Sequence, residues 1–287
     1  MKMNSTRQLS ETQMQTAFKS TKKANAALDL SVKSWFVIAL TGQWAFALYI
    51  LLVYVVSQFV GIELGNVVPA QSFKKADGVD LAFAFLHVIP AAYLSILGCT
   101  QLIPALRNNY RAFHRWNGRI FFTLGISGAL TGLYLQWGAG FRLSDIGSLG
   151  ITLNGILIPV AIFFAWKHAI NKRFDLHMRW AVHSFLLVNA VWTFRLYLMG
   201  WYMVNQGPNG NNSTLDGPAD IMLSFACYLL PMALAELYFW SKKQKHSKPI
   251  WWATSVMFVG ALITLIGVVS AALMMWAPRI NMVLQAL

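Results

Sequence analysis

Apolar runs long enough to cross a lipid bilayer recur along nearly the whole chain, and that recurrence leaves few folds open. A helix needs about 20 consecutive apolar residues to span the hydrocarbon core. Seven such runs can be read, at 35–60, 81–103, 117–137, 149–170, 178–204, 219–241 and 251–275. Of the 287 residues, 57% are hydrophobic and only 11% are charged, roughly half the charge of a soluble domain. The expected fold is therefore an all-α, polytopic transmembrane helix bundle of seven spans. The spans exclude a soluble enzyme, and no hydrolase or phosphate-loop motif is present.

The net charge of +13 invites a nucleic-acid partner, but its distribution points to the bilayer. The basic residues gather in the N-terminal segment and in the 104–116, 168–177 and 242–250 connections, including Arg107, Arg111, Arg115, Lys172, Arg173, Lys242, Lys243, Lys245 and Lys248. The alternate connections hold only Lys74, Lys75 and Arg142, with Arg279 in the tail. Positive charge on cytoplasmic loops orients helices, so the N-terminus is expected in the cytoplasm and the C-terminus outside. The expected organisation is a polar cytoplasmic segment at 1–34, a membrane domain at 35–275 and a short outer tail at 276–287. The Gly/Asn-rich stretch Asn205–Asp220 reads as an outer loop. Gly125, Gly128 and Gly132 put small residues along one side of span three, where a neighbour can approach. Pro90, Pro159 and Pro231 are expected to kink their spans. Cys99 and Cys227 fall within spans and suit packing rather than a disulfide.

Ionisable side chains inside spans are costly and mark function by default. Arg195 lies well inside span five, and His87 lies about six residues, roughly 9 Å, from the outer end of span two. His177 opens span five, and Arg195 follows it by 18 residues; about five turns of unbroken helix would put both on one polar face. His183 points away from that stripe and ranks lower. His114 stands at the mouth of span three, and Glu236 lies near the cytoplasmic end of span six, placed either to pair with a protonated histidine at that level or to carry a proton. Arg195 has no obvious carboxylate at its level, which leaves backbone, Tyr or Asn groups, or a bound anion, as its partner.

These residues carry a family resemblance. His87, the segment His114-Arg115-Trp116-Asn117-Gly118-Arg119, His177-x-x-Trp180 and Arg195 resemble the bacterial predicted membrane proteins called domain of unknown function 2306, over about residues 80–205. The resemblance implies a multi-pass protein of a bacterial cytoplasmic (inner) membrane and picks out His87, His114, Arg115, Gly118, Arg119, His177, Trp180 and Arg195. His183 stands where the family more often has arginine.

Three functions compete. A b-type haem protein that passes electrons to a membrane redox partner would clamp one iron between two of His114, His177 and His183. His87 sits more than roughly 10 Å from their level, so it cannot share that iron with His183, and no metal other than haem iron is expected. A transporter of a small anionic or proton-coupled solute would use Arg195, Tyr197, Asn189, His87 and Glu236. A structural or regulatory membrane protein would use the polar groups only to fasten helices, for which buried charges are expensive.

Overall fold

The structure is a computed structural model that describes residues 2–68 and 78–287. Lys74 and Lys75, counted above in the connection between spans one and two, lie outside the described residues. The described residues are helical with short loops and contain no strand. Six helices are long and apolar enough to cross a membrane: Phe18–Phe59, Gly78–Leu102, Arg111–Gly138, Leu149–Ile170, Pro218–Ser241 and Ser247–Leu284. A bent pair, Phe174–Val188 and Ala190–Val204, passes the same test together.

The packing makes that pair one span. Ala24 and Leu28 near the start of span one touch Ile250, Ala253 and Met257 at the start of the last span, Gly42 faces Val268, and Tyr49 meets Arg279. The first and last spans therefore run parallel. Neighbours in sequence run antiparallel, as Tyr93–Asn117 and His87–Thr131 show for spans two and three, and His177–Ala165 and Asn154–Leu187 for spans four and five. Alternation with parallel ends requires an odd number of crossings, and seven fits. The basic connections 104–116, 168–177 and 242–250 consequently lie at one end of the bundle, here called the basic end, with the loop 205–217 at the other.

Two departures from regular helix position the polar groups. The first is the bend of 55° in span five, located at Asn189. It overturns the expectation of one straight face from His177 to Arg195, because the count of turns between them assumes an unbroken helix. Pro90, Pro159 and Pro231 lie within helices that continue through them. The second departure is a set of π-helical turns at Leu51–Val56, Tyr134–Gly138 and Ala272–Trp276. They belong to spans one, three and seven, which run the same way, so all three lie towards the end opposite the basic loops. A π-turn inserts an extra residue per turn and is often found at functional sites.

The glycines divide their duties. A Cβ on Gly125 would meet Val188 at 2.9 Å and Ile162 at 3.2 Å, one on Gly132 would meet His87 at 3.0 Å, and one on Gly128 would meet nothing. The small side of span three thus serves several neighbours. Spans five and seven approach at Gly200 and Gly267, where a Cβ on Gly267 would come within 2.7 Å of Leu196 Cβ; small residues allow such backbone contact in membranes. Cys99 and Cys227 are buried free thiols.

Candidate functional site

At the basic end, charge and counter-charge are assembled from spans five and six. Arg179 and His183 are four residues apart, hence on one face of the helix. Both reach Glu236: Arg179 Nε donates to Oε1 at 2.7 Å, its second nitrogen donates to Oε2, and His183 Nε2 contacts Oε1 at 2.6 Å. Because a carboxylate only accepts, Nε2 carries the proton in that contact. His183 Nδ1 is left buried without a hydrogen-bond partner. Trp180 lies edge-on to His183 at 6.1 Å and stacks on Phe164 at 4.7 Å, which stacks in turn on His168. The Glu236 side chain is 35% exposed, so the group sits at the edge of the core. Its expected histidine pairing is thus present, with the histidine ranked lower by sequence.

Nearby, His177 Nδ1 bonds Ala165 O at 2.9 Å. A carbonyl only accepts, so this proton lies on Nδ1 and a neutral ring leaves Nε2 as a lone pair. His114 is near enough to interact electrostatically with His177, and its Nδ1 is enclosed without a partner. The rest of the segment 114–119 fastens span three to the end of span two. Asn117, only 3% exposed, accepts from the Tyr93 hydroxyl at 2.9 Å and donates to Leu97 O and Thr100 Oγ1. Those acceptors lie where span two tightens into the 3-10 turn Gly98–Leu102. A Cβ on Gly118 would press to 3.1 Å from Gln101 Oε1. Among the described residues no three His, Cys, Asp or Glu side chains are grouped to hold a metal ion.

Halfway along the bundle, neutral polar groups surround the bend. Gln43 Nε2 donates to Asn189 Oδ1 at 2.8 Å, Asn189 Nδ2 donates back to Phe185 O, and Asn154 Nδ2 donates to Leu187 O at 3.1 Å. Asn154 from span four and Asn189 itself thereby serve carbonyls next to the break, and Gln43 from span one holds the Asn189 side chain in place, which meets the condition for irregular backbone at membrane depth. Gln43 Oε1 and the Trp192 Nε1–H remain buried without partners.

At the opposite end lie Arg195 and His87. His87 Nδ1 bonds Thr131 Oγ1 at 3.0 Å, and its ring is within electrostatic reach of Arg195. Arg195 donates to Val191 O at 3.0 Å and sits over the Phe46 ring at 5.5 Å. Backbone is thus one of its partners, and among the described residues no carboxylate forms an ion pair with it. Tyr197, two residues on, packs instead against the two large apolar clusters.

The structure therefore separates the candidates. His114, His177, His183 and Glu236 belong to the basic end, and His87 and Arg195 to the other. Sequence reasoning passed over Arg179, Asn117, Gln43, Tyr49 and Arg279. Arg179 carried a legible signal, its four-residue spacing to His183; the others become visible only once helices are packed. Among known proteins, no curated protein and no solved structure matches the chain. The profile of the predicted membrane proteins named domain of unknown function 2306 matches residues 84–239, just over half of the chain and most of the polar residues described above. The chain belongs to this family of predicted membrane proteins.

Proposed function

We propose that the chain is a carrier for a small solute, with protons handled at its basic end. One observation supports this most: span five is broken at Asn189, with Arg179 and His183 on one side of the break and Arg195 on the other. Discontinuous helices near the bilayer midplane are a recurring way for transporters to expose backbone and side-chain polar groups to cargo. Gln43 and Asn154 hold this break with neutral bonds that can be exchanged for bonds to a solute. Proteoliposomes loaded with a small carboxylate or with phosphate test the reading. Uptake that collapses in Asn189→Leu is the expected result, and absence of uptake under any imposed pH gradient would remove the carrier reading.

A redox function keeps one specific observation in its favour. The bond from His177 Nδ1 to Ala165 O is the kind of outer contact that orients an axial histidine and frees Nε2 for a metal, and His114 is its neighbour. An absorption spectrum of protein expressed with ample haem decides it. A Soret band lost in His114→Ala and His177→Ala supports a single haem there; no band at all sinks it.

A further inference from the structure

We infer that the end of the bundle opposite the basic loops holds a binding site for a small oxyanion, a carboxylate or phosphate group, between the guanidinium groups of Arg195 and Arg279. The second arginine comes from the tail of span seven, beyond its π-turn, and lies outside the region matched by the family.

The two guanidinium groups flank one pair of stacked rings. Arg195 lies over Phe46 at 5.5 Å. Phe46 stacks on Tyr49 at 5.9 Å, and the Tyr49 hydroxyl accepts from Arg279 NH1 at 2.9 Å. Tyr54 closes edge-on against Tyr49 at 6.0 Å, from within the π-turn of span one.

What the two arginines lack is a counter-charge. A guanidinium has five N–H donors and no acceptor, yet Arg195 donates only to Val191 O and Arg279 only to Tyr49. Neither forms an ion pair with a carboxylate of the described residues. Trp276 packs on Phe46 at 5.7 Å, is 2% exposed, and its Nε1–H is buried with no acceptor. A buried donor without a partner costs about 1–3 kcal/mol, and two like charges held in apolar surroundings repel. Of the described acids at this end, Asp80 accepts from the Tyr134 hydroxyl, Asp145 pairs with Arg142, Asp216 and Asp220 accept from the loop 211–217, and Glu63 is exposed and forms no ion pair with either arginine. One bound oxyanion would supply both the missing charge and the missing acceptors, and arginine forks match carboxylate and phosphate oxygens in pairs.

The assignment rests on the carrier reading for the oxyanion's role as cargo, whereas binding itself is testable without transport. Titration calorimetry of the full-length protein in a neutral detergent, with sodium phosphate and sodium succinate as probes and choline chloride as control, measures binding directly. At least one of the two anions binds, and Arg195→Gln and Arg279→Gln each weaken it roughly tenfold or more, about 1.4 kcal/mol. Exposed Lys248, at the basic end, gives a Lys248→Gln control that changes nothing. Trp276→Phe keeps the ring, removes the donor and weakens binding severalfold, and Arg279→Lys retains part of the affinity if charge and fork both matter. The oxyanion has two sources, a free solute or a lipid phosphate. Phosphatidylglycerol retained through purification by wild type, lost in Arg195→Gln and absent with phosphatidylcholine, assigns the site to a lipid headgroup. Failure of both probes and of phosphatidylglycerol to bind overturns the proposal, as does binding unchanged in both arginine variants. Binding without uptake removes the carrier reading alone; uptake that ignores both arginines removes this site alone.

Discussion

The two ends of the bundle treat arginine in opposite ways. At the basic end Arg179 is matched by Glu236, whose oxygens also receive His183, and the charges close upon one another. At the opposite end Arg195 has a backbone carbonyl and a ring face, and Arg279 has a tyrosine hydroxyl. A complete ion pair fastens a structure in that removing one member strands the other. Charges left without a counter-ion are destabilising in isolation and keep their donors available. One end of the molecule thus closes its charges upon one another, and the other keeps the donors that the proposed oxyanion would use.

The largest effect should come from opening the closed end. Glu236→Ala strands Arg179 and the nearly buried His183 together, and a hydrogen bond to a charged group is worth about 1.5–3 kcal/mol. Because Arg179 and Glu236 are 49% and 35% exposed, a loss of about 2 kcal/mol is expected. Arg195→Ala forfeits one backbone bond and one ring contact, and should cost about 1 kcal/mol or less, since it also relieves an uncompensated charge. Thermal unfolding followed by tryptophan fluorescence gives the order: Glu236→Ala melts well below wild type and Arg195→Ala close to it. An equal loss in both would erase the distinction between the ends.

A middle-sized effect is expected at the neutral boundary between them. Gln43 and Asn189 are both buried and share a bond of 2.8 Å. Gln43→Leu leaves Asn189 Oδ1 without its donor, for about 1–2 kcal/mol. The double variant Gln43→Leu, Asn189→Leu should cost less than the sum of the two single changes, with a coupling of about 1 kcal/mol. Strict additivity would mean that the bond does not brace the bend, and the two ends would then be joined by apolar packing alone.

Why some of this was legible in sequence and some was not follows from what each feature depends on. The seven spans depend on local hydropathy, and Leu149–Ile170 falls where its apolar run places it. The pairing of Glu236 with a histidine followed from shared depth. The choice of His183 over His177 did not, because face arithmetic on one helix says nothing about which neighbour lies opposite. The bend at Asn189 has no proline to announce it and is held by Gln43 and Asn154 from distant spans. That hidden bend is also why the shared face of His177 and Arg195 dissolved. Arg279 lies in a tail whose last helix packs back on span one, with Tyr49 as its hydrogen-bond partner, a contact that no periodicity in either segment encodes.

The smallest effect, and the one that probes why the acids of this end leave its two arginines unpaired, concerns the loop 205–217. Asp216 accepts from Asn212 Nδ2 at 2.6 Å and from Thr214 Oγ1 at 2.8 Å. Bonds from Asn212 first, and then Thr214, hold its carboxyl below the ordinary carboxylate range. A depressed value means that the folded loop favours the ionised form. Its contribution is therefore present above the unfolded-chain value of about 3.9, and is lost only as pH falls through the lower folded value. Amide hydrogen exchange across 205–217, corrected for the intrinsic pH dependence, should stay constant from neutral pH down to about pH 4 and rise only below it. Asp216→Asn should remove that acid step while leaving oxyanion binding at Arg195 and Arg279 unchanged. If Asp216→Asn instead tightens oxyanion binding, Asp216 is an electrostatic competitor for the arginines. The loop would then regulate the receptive end instead of merely keeping its carboxylates occupied.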